Sequence, residues 1–154
     1  MSTPSPLARA LAEIRQLHAF FEDWFTGRLA PSAHGLARVA DVLDPSFFLV
    51  TPAGERLGRT RLLRFLEAAH DSRPPEFRLE VRHAEARVVA ADHVLAQYEE
   101  LHSGDGPPTR RIASALFRPE PLAPNGVAWL FVHETWRDAG AADQAPALVT
   151  RLRP

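Results

Sequence analysis

The stretch Phe77-Arg78-Leu79-Glu80-Val81-Arg82 places an apolar residue at every second position and a charged one between each pair. That is the period of a strand with one buried face. The strand pattern continues to Val89, and Ala91-Asp92 reads as a turn. Val94 to His102 is a second run, closed by Ser103-Gly104-Asp105-Gly106-Pro107-Pro108. Arg110 to Arg118 is a third, followed by a proline-rich loop that ends in Asn125-Gly126, and Val127 to Trp136 is the fourth. Four long strands in succession with short connections predict an antiparallel meander.

Upstream of this stretch the period changes. Ser5-Pro6 reads as an N-cap with proline at the first helical position. Leu7, Leu11, Ile14, Leu17, Phe21, Trp24 and Phe25 then recur at helical spacing, while Arg9, Glu13, Arg15, Gln16, Glu22 and Asp23 mark an opposite, polar face. A first helix to about Arg28 follows. Pro31-Ser32 opens a second, with Leu36, Val39, Val42 and Leu43 on one side, and Asp44-Pro45 is expected to stop it. Ser46 to Val50 is a short apolar strand, Thr51 to Gly54 a turn, and Glu55 to Leu57 the returning arm of a small hairpin. Thr60 is expected to cap a third helix carrying Leu62, Leu63, Phe65, Leu66 and Ala69.

The totals fit one domain. The chain has 154 residues, 45% hydrophobic and 24% charged, so it can bury a core without staples. Residues 1–138 are read as a single domain and 139–154, rich in Ala, Asp and Pro, as a loosely ordered tail. The formal net charge of −1 draws the molecule towards neither nucleic acid nor anionic membrane. All 18 basic residues are arginines, interleaved with acids rather than clustered, which suits a solvated face better than a phosphate site. The absence of cysteine excludes disulfides, thiolate catalysis and Cys-ligated metals. No apolar run approaches a membrane span, and Met1 to Pro6 lacks the basic and apolar segments of a signal peptide, so a cytoplasmic location is expected. There is no P-loop, dinucleotide glycine pattern, serine-hydrolase elbow or close histidine pair, so no cofactor and no metal are expected.

The order of elements, with a hairpin between the second and third helices, resembles the nuclear-transport-factor-2-like (NTF2-like) cone fold, in particular its SnoaL-like and DUF4440-like members. The resemblance rests on Asp44 to Gly54 with Gly58-Arg59 before a Leu-rich helix, on Arg110 to Arg118, and on Trp129-Leu130-Phe131-Val132-His133-Glu134-Thr135-Trp136. It covers about residues 10 to 137. It implies an α+β fold in which three N-terminal helices pack on a strongly curved mixed or antiparallel sheet around one pocket. Isomerases, cyclases, dehydratases, hydrolases and non-catalytic assembly modules all use this fold, so function must be argued from the site.

Alternation divides each late strand into two faces. Arg111, Ala113, Ala115 and Phe117 share one, and Leu130, Val132, Glu134 and Trp136 are expected beside them. The small Ala113 and Ala115 favour that face as the pocket side, with Arg111 and Glu134 inside and Trp136 nearby. Such a pair either grips a ligand carboxylate or is a plain cross-strand ion pair. Trp129, Phe131, His133 and Thr135 fall on the other face, and both faces are so apolar that a homodimer through the convex side is expected. A one-residue slip would exchange the faces and bring His133 into the pocket. On the second long strand Tyr98 and Glu100 share one side and Gln97 and Glu99 the other. Either set can supply a pocket carboxylate whose pKa desolvation raises, or merely line an exposed edge.

The candidates are therefore His133, Glu134, Tyr98 and Glu100 for chemistry. For ligand contact they are Trp24, Glu99, Arg111, Ala113, Ala115, Glu134 and Trp136. Trp24 with its aromatic neighbours reads equally as core. The expected function is the binding of a small hydrophobic or carboxylate-bearing molecule in a mainly apolar pocket. The alternatives are an isomerase, dehydratase or cyclase that moves a proton with a pocket carboxylate or histidine, and a dimerisation module without catalysis. The residues alone leave open whether the chain is an enzyme.

Overall fold

A computed structural model describes residues 2–137, so the expectation of a loose tail at 139–154 lies outside the described residues. Helix α1 (Pro6–Phe25) starts where capping chemistry puts it: the Ser5 hydroxyl accepts from the Ala8 N–H at 3.2 Å and proline follows. It ends three residues sooner than its pattern suggested. Gly27 turns the chain with φ +71, and a Cβ there would lie 2.5 Å from Asp71 Oδ1. Helix α2 (Ala33–Ala40) is capped by Ser32. It stops before Asp44-Pro45, and the Arg59 guanidinium donates to the freed Ala40 carbonyl at 2.8 Å. Asp44-Pro45 lies instead inside strand β1 (Leu43–Val50). Strand β2 (Arg56–Gly58) returns antiparallel to β1, and helix α3 (Arg59–Ala68) follows with Gly58, not Thr60, at its N-cap.

The long strands are β3 (Arg78–Ala90), β4 (His93–Ser103), β5 (Thr109–Pro119) and β6 (Val127–Arg137), each paired antiparallel to the next. Ala91 and Asp92, both at positive φ, make the two-residue turn between β3 and β4. β1 pairs parallel with β6, which makes one mixed sheet in the order β2-β1-β6-β5-β4-β3. Two irregularities bend it. In β3 the register shifts between Arg82 and Glu85, where His83 sits at φ 51. In β6 a residue is inserted at Leu130: Phe131 faces Leu116 and Trp129 faces Phe117. Bulges of this kind increase local bend and twist, so the sheet wraps α1.

The β6 bulge also corrects one face assignment. Beyond it Val132, Glu134 and Trp136 point inward as the alternation predicted. Before it Trp129 points inward as well, only 2% exposed, rather than onto the convex face. Its ring lies 4.4 Å from Phe117, and its indole N–H donates to Glu13. Glu13, expected on the polar face of α1, is completely buried: Arg38 donates to it from both ends of its fork at 3.0 and 2.9 Å, and Asn125 donates at 2.6 Å.

Candidate functional site

The concave face of the sheet, the inner side of α1, and the β1–β2 hairpin with α3 enclose a cavity of about 520 Å³. Its walls are mostly apolar, from residues such as Phe21, Phe25, Phe47, Leu49, Leu62 and Val132. The polar lining is concentrated on β4, β5, β6 and one turn of α1: His18, Tyr98, Glu100, His102, Arg111 and Glu134.

These groups are placed by periodicity. Tyr98 and Glu100 alternate inward on β4, and across the ladder Tyr98 pairs with Ala113 and Glu100 with Arg111. Glu134 pairs with Ala113 and Trp136 with Arg111 on the far side of β5. Inward residues of three adjacent strands therefore meet in one patch. His18 comes from α1, one turn beyond Ile14 and one before Phe21 and Glu22.

The His18 ring stands between two acceptors: Nδ1 is 2.6 Å from the Ile14 carbonyl and Nε2 is 2.9 Å from Glu100 Oε1. A carbonyl only accepts, and so does an ionised carboxylate, so this geometry fits an imidazolium donating from both nitrogens. Burial opposes that charge, but the adjoining Glu100 carboxylate outweighs it and raises the His18 pKa. Burial alone would likewise raise the Glu100 pKa. His18 beside it, with a further donor from His102 Nε2 at 3.1 Å, holds it far below the ordinary carboxylate range. His18 and Glu100 form a buried ion pair.

Glu134 has the opposite balance. Burial, then the charge of Glu100, push its pKa up to about 7, against a weaker pull from Arg111. Arg111 donates one Nη1–H to Glu134 Oε2 at 3.2 Å, its guanidinium carbon lies 4.9 Å from the Trp136 ring centre, and its Nε is buried without a partner. The Tyr98 hydroxyl, raised well above its usual pKa by burial and by the two glutamates, is a neutral donor and makes no hydrogen bond among the described residues. One ion pair is closed on itself, while the Arg111 fork and the Tyr98 hydroxyl retain unused donors and Glu134 retains a free acceptor oxygen.

Of the residues singled out from sequence, Tyr98, Glu100, Arg111, Glu134 and Trp136 line the cavity. The others do not. Glu99 alternates outward opposite Ile112 and is held by Arg137. Ala113 and Ala115 are fully buried in the core beneath the cavity wall. Trp24 packs away from the cavity, between the helices: its N–H donates to the Leu66 carbonyl at 2.7 Å, and a Cβ on Gly35 would come within 2.6 Å of its ring. His133 is exposed on the convex face, opposite Ser114. The sequence reading missed His18. Its one signal is a titratable residue at step four from Ile14, beside Leu17 and before Phe21, on the apolar stripe of α1, which by itself does not separate it from a solvated one. Among the described residues no three metal-ligating side chains are grouped to hold a metal ion.

No family model matches the chain. A curated protein that does match is sucrose-phosphatase 2 of Nicotiana tabacum, 25% identical over 135 residues. The match covers 86% of this chain and 32% of that protein, so the chain spans about a third of its relative's length. Among solved structures, an NTF-2-like protein of unknown function from Pseudomonas aeruginosa superposes with a TM-score of 0.75 at 22% identity, over 84% of this chain and 99% of that one. The CaMKII hub of S. rosetta superposes with a TM-score of 0.68 at 11% identity, over 88% of this chain and all of that one. No helix among the described residues is long and apolar enough to cross a membrane. Three helices on a six-stranded mixed sheet bent around a cavity, and the superposition on these neighbours, give this chain the NTF2-like cone fold.

Proposed function

We propose that the chain binds a small, mainly apolar molecule, with its hydrophobic body against the α1 and hairpin wall and one polar end on Arg111, Glu134 and Tyr98. The observation that carries this reading is the segregation within the cavity. About 520 Å³ of mostly apolar space ends on a patch where the Arg111 fork spends only one Nη1–H on Glu134, in a single bond of 3.2 Å. That volume lies within the range of ordinary ligand sites, and a few convergent polar groups in an apolar cleft are what fix a ligand's orientation. A cavity of this size also weighs against an assembly module filled by its own side chains. The SnoaL-like kinship stays part of this proposal.

One observation favours a second, catalytic reading: a carboxyl titrating near neutrality in a mainly apolar pocket is suited to general acid–base work, with Glu134 as the proton carrier. Homodimerisation through the convex sheet face is a separate part of the proposal. It is supported by the half-buried apolar residues there and by the likeness of fold to a hub and to an association domain.

Titration with the fluorescent anion 8-anilinonaphthalene-1-sulfonate tests the binding reading. One saturable site is expected, weakened about tenfold in Arg111→Ala, the value of a hydrogen bond to a charged group. Absence of saturable binding, or equal affinity in the folded variant, overturns it. Proton exchange at carbon in a bound ketone, lost in Glu134→Gln, would instead establish the catalytic reading.

A further inference from the structure

Resting on the binding reading above, we propose that the occupant is a carboxylate, and that it seats on Arg111 only as Glu134 takes up a proton, so that ligand and proton enter together. Lining the cavity with Glu134 are Arg111 from β5, Tyr98, Glu100 and His102 from β4, and His18 from α1; β1 contributes only apolar groups to the lining. At the mouth, Glu55 and Arg61 are paired with each other at 2.5 Å and exposed. The buried His18–Glu100 pair is neutral overall and locked by hydrogen bonds at both ends of the imidazole ring. What remains is Arg111 and Glu134. With Glu134 ionised these two cancel, and an incoming anion meets two carboxylates, Glu100 and Glu134, against a guanidinium already engaged. With Glu134 protonated, the patch carries one uncompensated positive charge in a low-dielectric setting, and a single anion neutralises it.

Hydrogen-bond capacity agrees. The Arg111–Glu134 contact is a single bond of 3.2 Å, unlike the two-pronged grip of Arg38 on Glu13, so the fork has donors left for a second carboxylate. A neutral Glu134 also gains an O–H donor, which an anionic ligand can accept. Tyr98 is a third donor that stays neutral. A site with three donors and one positive charge selects a carboxylate over the amide or alcohol of the same shape. With the Glu134 pKa raised to about 7, this proton is taken up within the physiological range.

Calorimetric titration with 2-naphthoate, which is ionised throughout, in two buffers of different ionisation enthalpy reads the linkage. About one proton is expected to be taken up per naphthoate at pH 8, with affinity falling roughly tenfold per pH unit above the Glu134 titration. Uncharged 2-naphthamide should bind without uptake, and Glu134→Gln should bind naphthoate without uptake and without pH dependence. Independently of any variant, the Glu134 side-chain carboxyl ¹³C resonance of the wild type should titrate at higher pH when naphthoate is bound. Naphthoate binding with no proton uptake, or uptake retained in folded Glu134→Gln, overturns the coupling and leaves the pocket reading intact. Failure of naphthoate and naphthamide alike to bind at any pH overturns both.

Discussion

Glu134 is the residue at which burial and charge oppose each other most openly. Its carboxyl is folded into a pocket beside Glu100, and its pKa stands at about 7 against an ordinary value of 4.5. The sign of the stability effect follows from proton counting. Between these two values the folded chain holds a proton that the unfolded chain has released, so stability falls as pH rises through this window and is fully present below it. The difference corresponds to on the order of 3 kcal/mol, with the side chain only 10% exposed. Glu134→Gln cannot ionise. The variant is therefore expected to equal the wild type near pH 4.5 and to exceed it by an amount of this order at pH 8, read by urea unfolding at both pH values. A wild-type advantage at pH 8 would show instead that Arg111 holds the folded-state pKa of Glu134 below its ordinary value. The His18–Glu100 pair acts in both directions: raised His18 loses its contribution at high pH, lowered Glu100 loses its own at low pH.

At the scale of elements, the buried Glu13 cluster decides how α1, α2, the β5–β6 loop and β6 meet. One carboxylate with no exposure accepts from Arg38, Asn125 and Trp129, which lie on three separate segments. Removing it leaves Arg38, whose side chain is only 20% exposed, and the Trp129 N–H without a counterpart. Breaking a buried pair costs about 3–5 kcal/mol. Glu13→Ala is expected to lose that much in urea unfolding at pH 7, and a loss below about 1 kcal/mol would show that the helices are held by apolar packing alone. This cluster also marks where sequence reading stops. The strands, their order along the chain and the hairpin were visible because period two over ten residues is hard to imitate. Arg111 and Glu134 could be grouped for the same reason, while the side of β4 that joins them, Tyr98 with Glu100 or Gln97 with Glu99, stayed open. Glu13 and His18 could not. A single polar residue near an apolar helical stripe looks solvated until a partner a hundred residues away is known. Trp129 was misplaced because an inserted residue at Leu130 inverts the alternation, and nothing local announces a bulge.

For the molecule as a whole, the question is what covers the convex face. Leu95 on β4, Ile112 and Leu116 on β5, Phe131 on β6 and Phe48 on β1 all point outward and are half-buried, with the Phe48 and Phe131 rings 4.9 Å apart. The ends of this face are charged: Glu99 meets Arg137 at one, and Arg56 lies over the Phe48 ring at the other. An apolar centre with a polar rim is the composition of a protein interface, and a sheet face of five strands can bury the thousand or so Å² that a stable homodimer requires. With Trp129 inside the core, a substitution there tests folding and not assembly. Phe131→Arg is the sharper test, since it places an unpaired guanidinium at the centre of the proposed interface, where desolvation costs several kcal/mol, while a monomer would simply extend it into water. Sedimentation velocity should show a wild-type dimer and a folded monomeric variant with unchanged binding of the cavity probe, because the cavity is lined by the opposite face of the sheet. A wild type that stays monomeric at every attainable concentration, or a Phe131→Arg protein that keeps the dimer mass, removes the convex face from the interface. The separation of the two faces is what makes that result interpretable: one face of each strand builds the pocket and the other is free to assemble, so loss of one property without the other is the outcome the alternation requires.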